Sequence, residues 1–116
     1  MATILNAHDL STGGGTSSVV SSPDNVNVSW KLTGLTGNGS IKLDIQVQVG
    51  SEDYHTLRNA NGIPQYVVLG KNTSGNISLT GINATNLKVV VTTVGDVVAG
   101  ATTGSITAGT LSIYAI

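Results

Sequence analysis

Six acidic residues, two histidines and twelve serines are the side chains of this chain that could do chemistry. Glu52 and Asp53 are adjacent, and Asp44 lies upstream of them. Three carboxylates at one strand end would suit Ca²⁺, which takes several oxygen ligands. Asp44, however, falls in the middle of a strand pattern, and the EF-hand spacing is absent, so a solvated turn is expected at Glu52–Asp53. His8 and His55 are the only histidines. Zinc would need further ligands, which nothing in the spacing places beside them. Asp53-Tyr54-His55 puts acid and base next to each other rather than at triad spacing, and no G-x-S-x-G elbow accompanies them. The acids are too scattered for a glycosidase pair. Gly13-Gly14-Gly15 would need a following helix and a lysine to hold phosphate. Thr16-Ser17-Ser18-Val19-Val20 follows instead, a strand-like run, so the glycines are expected to form a hinge. Trp30, Tyr54, Tyr66 and Tyr114 could stack on a sugar, but Trp30 shares the phase of Val26, Val28 and Leu32 and is expected in the core. The residues therefore predict no catalytic, cofactor or metal site, and a protein that is not an enzyme.

The elements that would carry these side chains are strands. Ile41, Leu43, Ile45, Val47 and Val49 alternate with Lys42, Asp44, Gln46 and Gln48, a period of two that buries one face of an extended chain. Val26, Val28, Trp30 and Leu32 alternate in the same way. The glycine-rich stretch Thr33–Gly39 between the two runs predicts a reversal, so residues 25–49 are expected to form an antiparallel hairpin. Further strands are expected at Tyr66–Leu69, around Ile77 and Leu79, over Leu87–Val94, and from Ser105 to Ile116. In the last, a change of phase at Ala108-Gly109 calls for a bulge. Pro23-Asp24-Asn25 and several glycine- and asparagine-rich stretches mark the turns. The expectation is an all-β antiparallel sandwich of seven or eight strands, jelly-roll-like, with an immunoglobulin-like sandwich as the alternative.

Composition excludes several functions. Charged residues make up 9% of the 116, with 15 Gly, 15 Thr, 12 Ser and 10 Asn in their place. The net charge of −1 is spread along the chain. Nucleic-acid binding and a polybasic membrane patch both depend on clustered cations and are not expected. No apolar run approaches the length of a spanning helix. There is no cysteine, hence no disulfide framework. The first residues lack a basic region, so no signal peptide is expected. The N-x-S/T triplets at Asn27, Asn38, Asn72, Asn76 and Asn83 are accordingly read as unmodified.

The run Ile45-Gln46-Val47-Gln48-Val49-Gly50-Ser51-Glu52-Asp53, followed by Leu57, resembles a pattern in β-sandwich virion proteins of tailed bacteriophages. In that group a Val/Ile strand ends in a Ser-x-Asp turn. Leu87-Lys88-Val89-Val90-Val91, the Gly/Ala/Thr-rich loop after it, and Gly104-Ser105-Ile106-Thr107 are also similar to that group, so the resemblance covers residues 26–116. The chain departs from the pattern where a Trp usually follows the Asp turn: Tyr54 and His55 stand there. The basic residue common in the late strand is Lys88 here. The resemblance implies a structural virion protein, foremost a capsid decoration (auxiliary) protein on the outer surface of a phage head, with a neck or tail accessory as a further possibility. It implies a virion location after assembly in the host cytoplasm. The partners would be the major capsid protein or other virion proteins, with homo-oligomers within the assembly. A carbohydrate-binding module that touches glycans is the alternative.

One domain is expected, a sandwich at residues 16–116, preceded by an N-terminal arm with its glycine hinge at residues 1–15; Met1–Leu10, with no clean period, reads as an arm or a short strand. Ile4 and Leu5 in the arm, and Val97 and Val98 in the loop Gly95–Gly104, have no evident place in a sandwich. They are therefore the expected partner contacts.

Overall fold

The computed structural model describes residues 2–37, 39–94 and 106–116. Among the described residues are ten strands: β1 (Ala2–Asp9), β2 (Gly15–Thr16), β3 (Val20–Ser21), β4 (Val26–Gly37), β5 (Ser40–Gln48), β6 (His55–Thr56), β7 (Tyr66–Leu69), β8 (Thr73–Leu79), β9 (Asn86–Val94) and β10 (Ile106–Ala115). A 3₁₀ turn, Leu10–Thr12, follows β1. The first sheet has the order β1-β10-β4-β8. The second runs β2-β9-β5-β6, with β3 also on β9 and β7 also on β5. All pairs are antiparallel.

β2 and β3 are two pieces of one strand line along β9, and β6 and β7 are two pieces of one line along β5. The ten strands thus fill eight positions, ordered 1-8-3-6 in one sheet and 2-7-4-5 in the other. That is the jelly-roll order, two interlocked Greek keys. It excludes the immunoglobulin-like alternative, in which early strands pair in a different sequence.

This order overturns the expected hairpin at residues 25–49. β4 pairs with β10 and β8, and β5 pairs with β9, β6 and β7, so the two longest alternating runs lie in different sheets. The glycines between them make a corner rather than a reversal: Gly34 and Gly37 take φ of 66° and 102°. The alternation itself is as expected. Val28, Leu32, Ile41, Leu43, Ile45 and Val47 are all buried, and the last three lie opposite Val91, Val89 and Leu87 of the neighbouring strand within the core. Val49 is the exception, 53% exposed where β5 has given way to the Gly50 turn. The expected bulge is present, with the β4–β10 register shifting between Ala108 and Thr110 around Gly109.

Of the two readings of the first ten residues, arm and short strand, the strand is the one observed. β1 pairs with β10 along its length, from Ala2 opposite Ala115 to Asp9 opposite Thr110. Ile4 and Leu10 belong to the core, and Leu5 is half-buried against it. Two irregularities in the β1 register broke the period that would have revealed it. The glycine hinge is likewise a packed crossing. A Cβ on Gly14 would sit 2.1 Å from the Val91 carbonyl oxygen, so only glycine lets the chain pass this close to β9. Just beyond, Ser17 is buried, and its Oγ accepts a hydrogen bond from the Val89 N–H at 2.8 Å. The hydroxyl replaces the ladder bond lost where β2 and β3 part. Met1 to Gly15 therefore does not separate as an arm: its described residues are part of the same sandwich.

Candidate functional site

The outer face of the second sheet gathers the most varied chemistry on the molecule. The alternation of β5 that buries Leu43 and Ile45 turns Lys42, Asp44, Gln46 and Gln48 to the other side, all half-buried. Neighbouring strands add their own outward residues by register. Asp44 lies opposite Tyr66 and Val90, and Gln46 lies opposite Thr56 and Lys88.

Asp44 is at the centre. Its carboxylate accepts from Thr56 Oγ1 at 3.0 Å and from Gln46 Nε2 at 3.0 Å. On either side stands a lysine over a phenol ring. Lys42 Nζ is 4.7 Å from the centroid of Tyr66, and Lys88 Nζ is 3.9 Å from that of Tyr54. The first pair is a cross-strand diagonal; the second spans β5. Such contacts contribute about 0.5–1 kcal/mol at exposed sites. Farther along, Asn86 Nδ2 donates to Gln48 Oε1 at 2.8 Å, and Gln48 Nε2 donates to the Glu52 carbonyl at 2.9 Å. On this face Asp44, Gln46 and Thr56 form one hydrogen-bonded group and Gln48 and Asn86 another, with the two lysines held over tyrosine rings.

A second feature lies at the end of the sandwich. Residues 57–65 leave the strand line between β6 and β7 and return to it. The excursion is pinched at its base where the Gln65 N–H donates to the Leu57 carbonyl at 2.8 Å. Asn59 Oδ1 accepts the N–H groups of Asn61 and Ile63, and Arg58 Nη1 donates to the Gly62 carbonyl. Between this loop and the turn after β8 is a cleft of about 700 Å³. Arg58, Asn59, Asn61, Gln65 and Thr80 supply polar groups around the apolar Leu57, Leu79 and Ile82.

The residues singled out for chemistry do not converge. Asp44 is engaged with Thr56 and Gln46, while Glu52 and Asp53 are exposed on the turn beyond Gln48. Among the described residues no group of three His, Cys, Asp or Glu side chains could hold a metal. His8 is on the first sheet, its Nε2 3.1 Å from the Gly13 carbonyl oxygen and its ring against Gly15. His55 is exposed on β6, opposite Val47 and out of phase with Thr56. Trp30 packs against the core, as its phase predicted. Ile4 is buried and Leu5 half-buried within the sandwich, so neither stands free as the expected partner contact. Val97 and Val98 lie outside the described residues. The Lys–Tyr pairs and the cleft went unread in the sequence. The alternation did place Lys42, Asp44 and Gln46 on one face; which strands would flank them was not encoded locally.

No protein-family profile, curated protein or solved structure matches the chain.

Proposed function

We propose that this chain is a structural virion protein, a capsid decoration protein that binds the outer surface of a phage head. The jelly-roll strand order carries this reading, since that arrangement serves in viral capsid proteins and in lectins. The resemblance of residues 26–116 to phage virion proteins favours the first of these. So does the outer face of the second sheet, where the chain's own Lys88 and Lys42 stand over the Tyr54 and Tyr66 rings on which a sugar would stack. A surface of hydroxyl and amide groups, with Val19, Val49 and Ile63 exposed and Tyr66 and Val68 exposed side by side on β7, is consistent with docking onto a neighbour. The major capsid protein is the partner in this reading, and the virion, assembled in the host cytoplasm, is the location. The test is co-sedimentation of the purified protein with undecorated phage heads. Saturable binding that weakens in Lys42→Glu/Lys88→Glu is the expected result; no binding to heads at any protein concentration would sink the reading.

A glycan-binding module is the second reading, and the cleft is the observation that favours it. Its volume falls within the range of small-molecule sites, and its guanidinium, amide and hydroxyl groups around aliphatic side chains suit a saccharide. Binding on a glycan array that disappears in Arg58→Ala, without head binding, would select this alternative.

A further inference from the structure

We propose that the free edge of β8 joins the same edge of a second copy of this chain, giving a two-fold dimer with one continuous sheet. Sheet edges are normally guarded against such pairing by bulges, charges, proline or brevity. Three of the four edges here are guarded. β1 has two register shifts and a positive φ at Ala7, and its Ile4 carbonyl already accepts from the Ser18 N–H at 2.7 Å. The edges of the second sheet are cut into pieces of two residues at β2, β3 and β6 and four at β7. β8 has none of these devices. Thr73–Leu79 contains no charge and no proline, and it pairs with β4 in unbroken register from Val26 opposite Leu79 to Leu32 opposite Thr73. No described residue pairs with its other side.

The groups at that edge can be assigned. Asn27 and Ile116 exchange both backbone hydrogen bonds at 3.0 Å, so the N–H and C=O of Asn27 point towards β10. Backbone groups alternate in direction along a strand, so those of Val28, Trp30 and Leu32 point towards β8. They meet Ile77, Gly75 and Thr73. The N–H and C=O groups of Ser74, Asn76 and Ser78 are consequently the ones turned to the open edge.

This set is self-complementary. With Asn76 on a two-fold axis, Asn76 pairs with its own copy, and Ser74 of each chain pairs with Ser78 of the other. All three outward residues are then engaged in mutual hydrogen-bonded pairs; moving the axis to Gly75 or Ile77 leaves one of them out. Between these pairs, Gly75 comes opposite the second copy's Ile77 at the narrow spacing of a non-hydrogen-bonded pair. Both are on the inner face, where the half-buried Trp30 lies against Gly75. The Ile77 side chain of the second copy fits where Gly75 supplies none, and it covers the indole. Such an interface is isologous and closes at two copies.

The test is the mass of the purified full chain by sedimentation, which does not depend on phage heads or glycans. The wild type should run as a dimer, twice 11.7 kDa. Asn76→Pro removes an N–H that points outward only and should give a folded monomer. Ser74→Lys/Ser78→Lys sets like charges opposite each other and should also be monomeric. Ser74→Lys/Ser78→Glu sets opposite charges in both pairs and should remain dimeric. A monomeric wild type at all concentrations, or a dimer that persists in the Lys/Lys variant, would overturn the proposal. If Asn76→Pro fails to fold, the two charge variants still decide.

Discussion

Trp30 lies across Gly75. The two residues are paired between β4 and β8, and a Cβ built on Gly75 would come within 2.7 Å of Trp30 Cζ2. The indole, the only one in the chain, occupies the inner face where a side chain at position 75 would otherwise project. Its Nε1 is buried with no hydrogen-bond partner among the described residues.

Gly75→Ala should therefore destabilise by the amount typical of overpacking, about 1–3 kcal/mol. In a Trp30→Leu background the same substitution should cost less, because the atoms it meets are gone. Denaturant melts of the two single variants and the double variant give the coupling. Additive effects would show that the two side chains do not share this space.

The register of β5 makes a second contrast. Leu43 is 1% exposed and Gln46 is half-buried on the opposite face. Leu43→Ala should cost about 2–5 kcal/mol, and Leu43→Asp, which buries an unpaired carboxylate, should prevent folding. Gln46→Asp should cost far less, about 1 kcal/mol. It removes the hydrogen bond to Asp44 and sets a second carboxylate beside it, while Lys88 on the adjacent strand offsets part of that repulsion. Thermal melts that rank the three otherwise would mean that β5 presents its other face to the core.

Deletion of Met1 to Leu10 should abolish the cooperative melt rather than trim a tail. It removes β1 from the sheet and takes Ile4 and Leu10 out of the core. Each buried side chain of this size contributes about 1.5–3 kcal/mol, and the exposed edge of β10 would lose its partner. Circular dichroism of the truncated chain checks this; a native spectrum and an unchanged melting temperature would contradict it.

Asp9 provides a pH signature. The Ser11 side chain, then the Ser11 N–H, hold its carboxyl below the usual carboxylate range; slight desolvation opposes them, and the His8 charge assists. A carboxyl whose folded pKa is depressed stabilises the fold above its unfolded pKa, and that contribution is lost as pH falls through the folded value. Wild type should therefore melt slightly above Asp9→Ala near neutral pH, and the two curves should converge in acid. NMR titration of the Asp9 carboxyl should show the lowered midpoint directly.

The sequence alone determined the class of structure and the inward side of β4 and β5. Alternation at period two is a property of neighbouring residues, so Leu43, Ile45, Val28 and Trp30 declare their face without reference to the rest of the chain. The bulge at Gly109 was legible for the same reason, as a change of phase within one strand. Only the tertiary structure decided which strands are neighbours. Residues 25–49 carry two well-formed alternating runs joined by glycines, a pattern that serves equally for a hairpin and for a corner between sheets. The choice depends on β8, β9 and β10, which come later in the chain and claim β4 and β5 separately. β1 could not be told from an arm because its two irregularities scatter the apolar residues, and its pairing with β10 joins the two ends of the chain. The outer face of the second sheet follows the same logic. Asp44 and Lys42 could be placed on one side of β5, but Thr56, Tyr66, Tyr54 and Lys88 reach them only across backbone hydrogen bonds between strands distant in sequence.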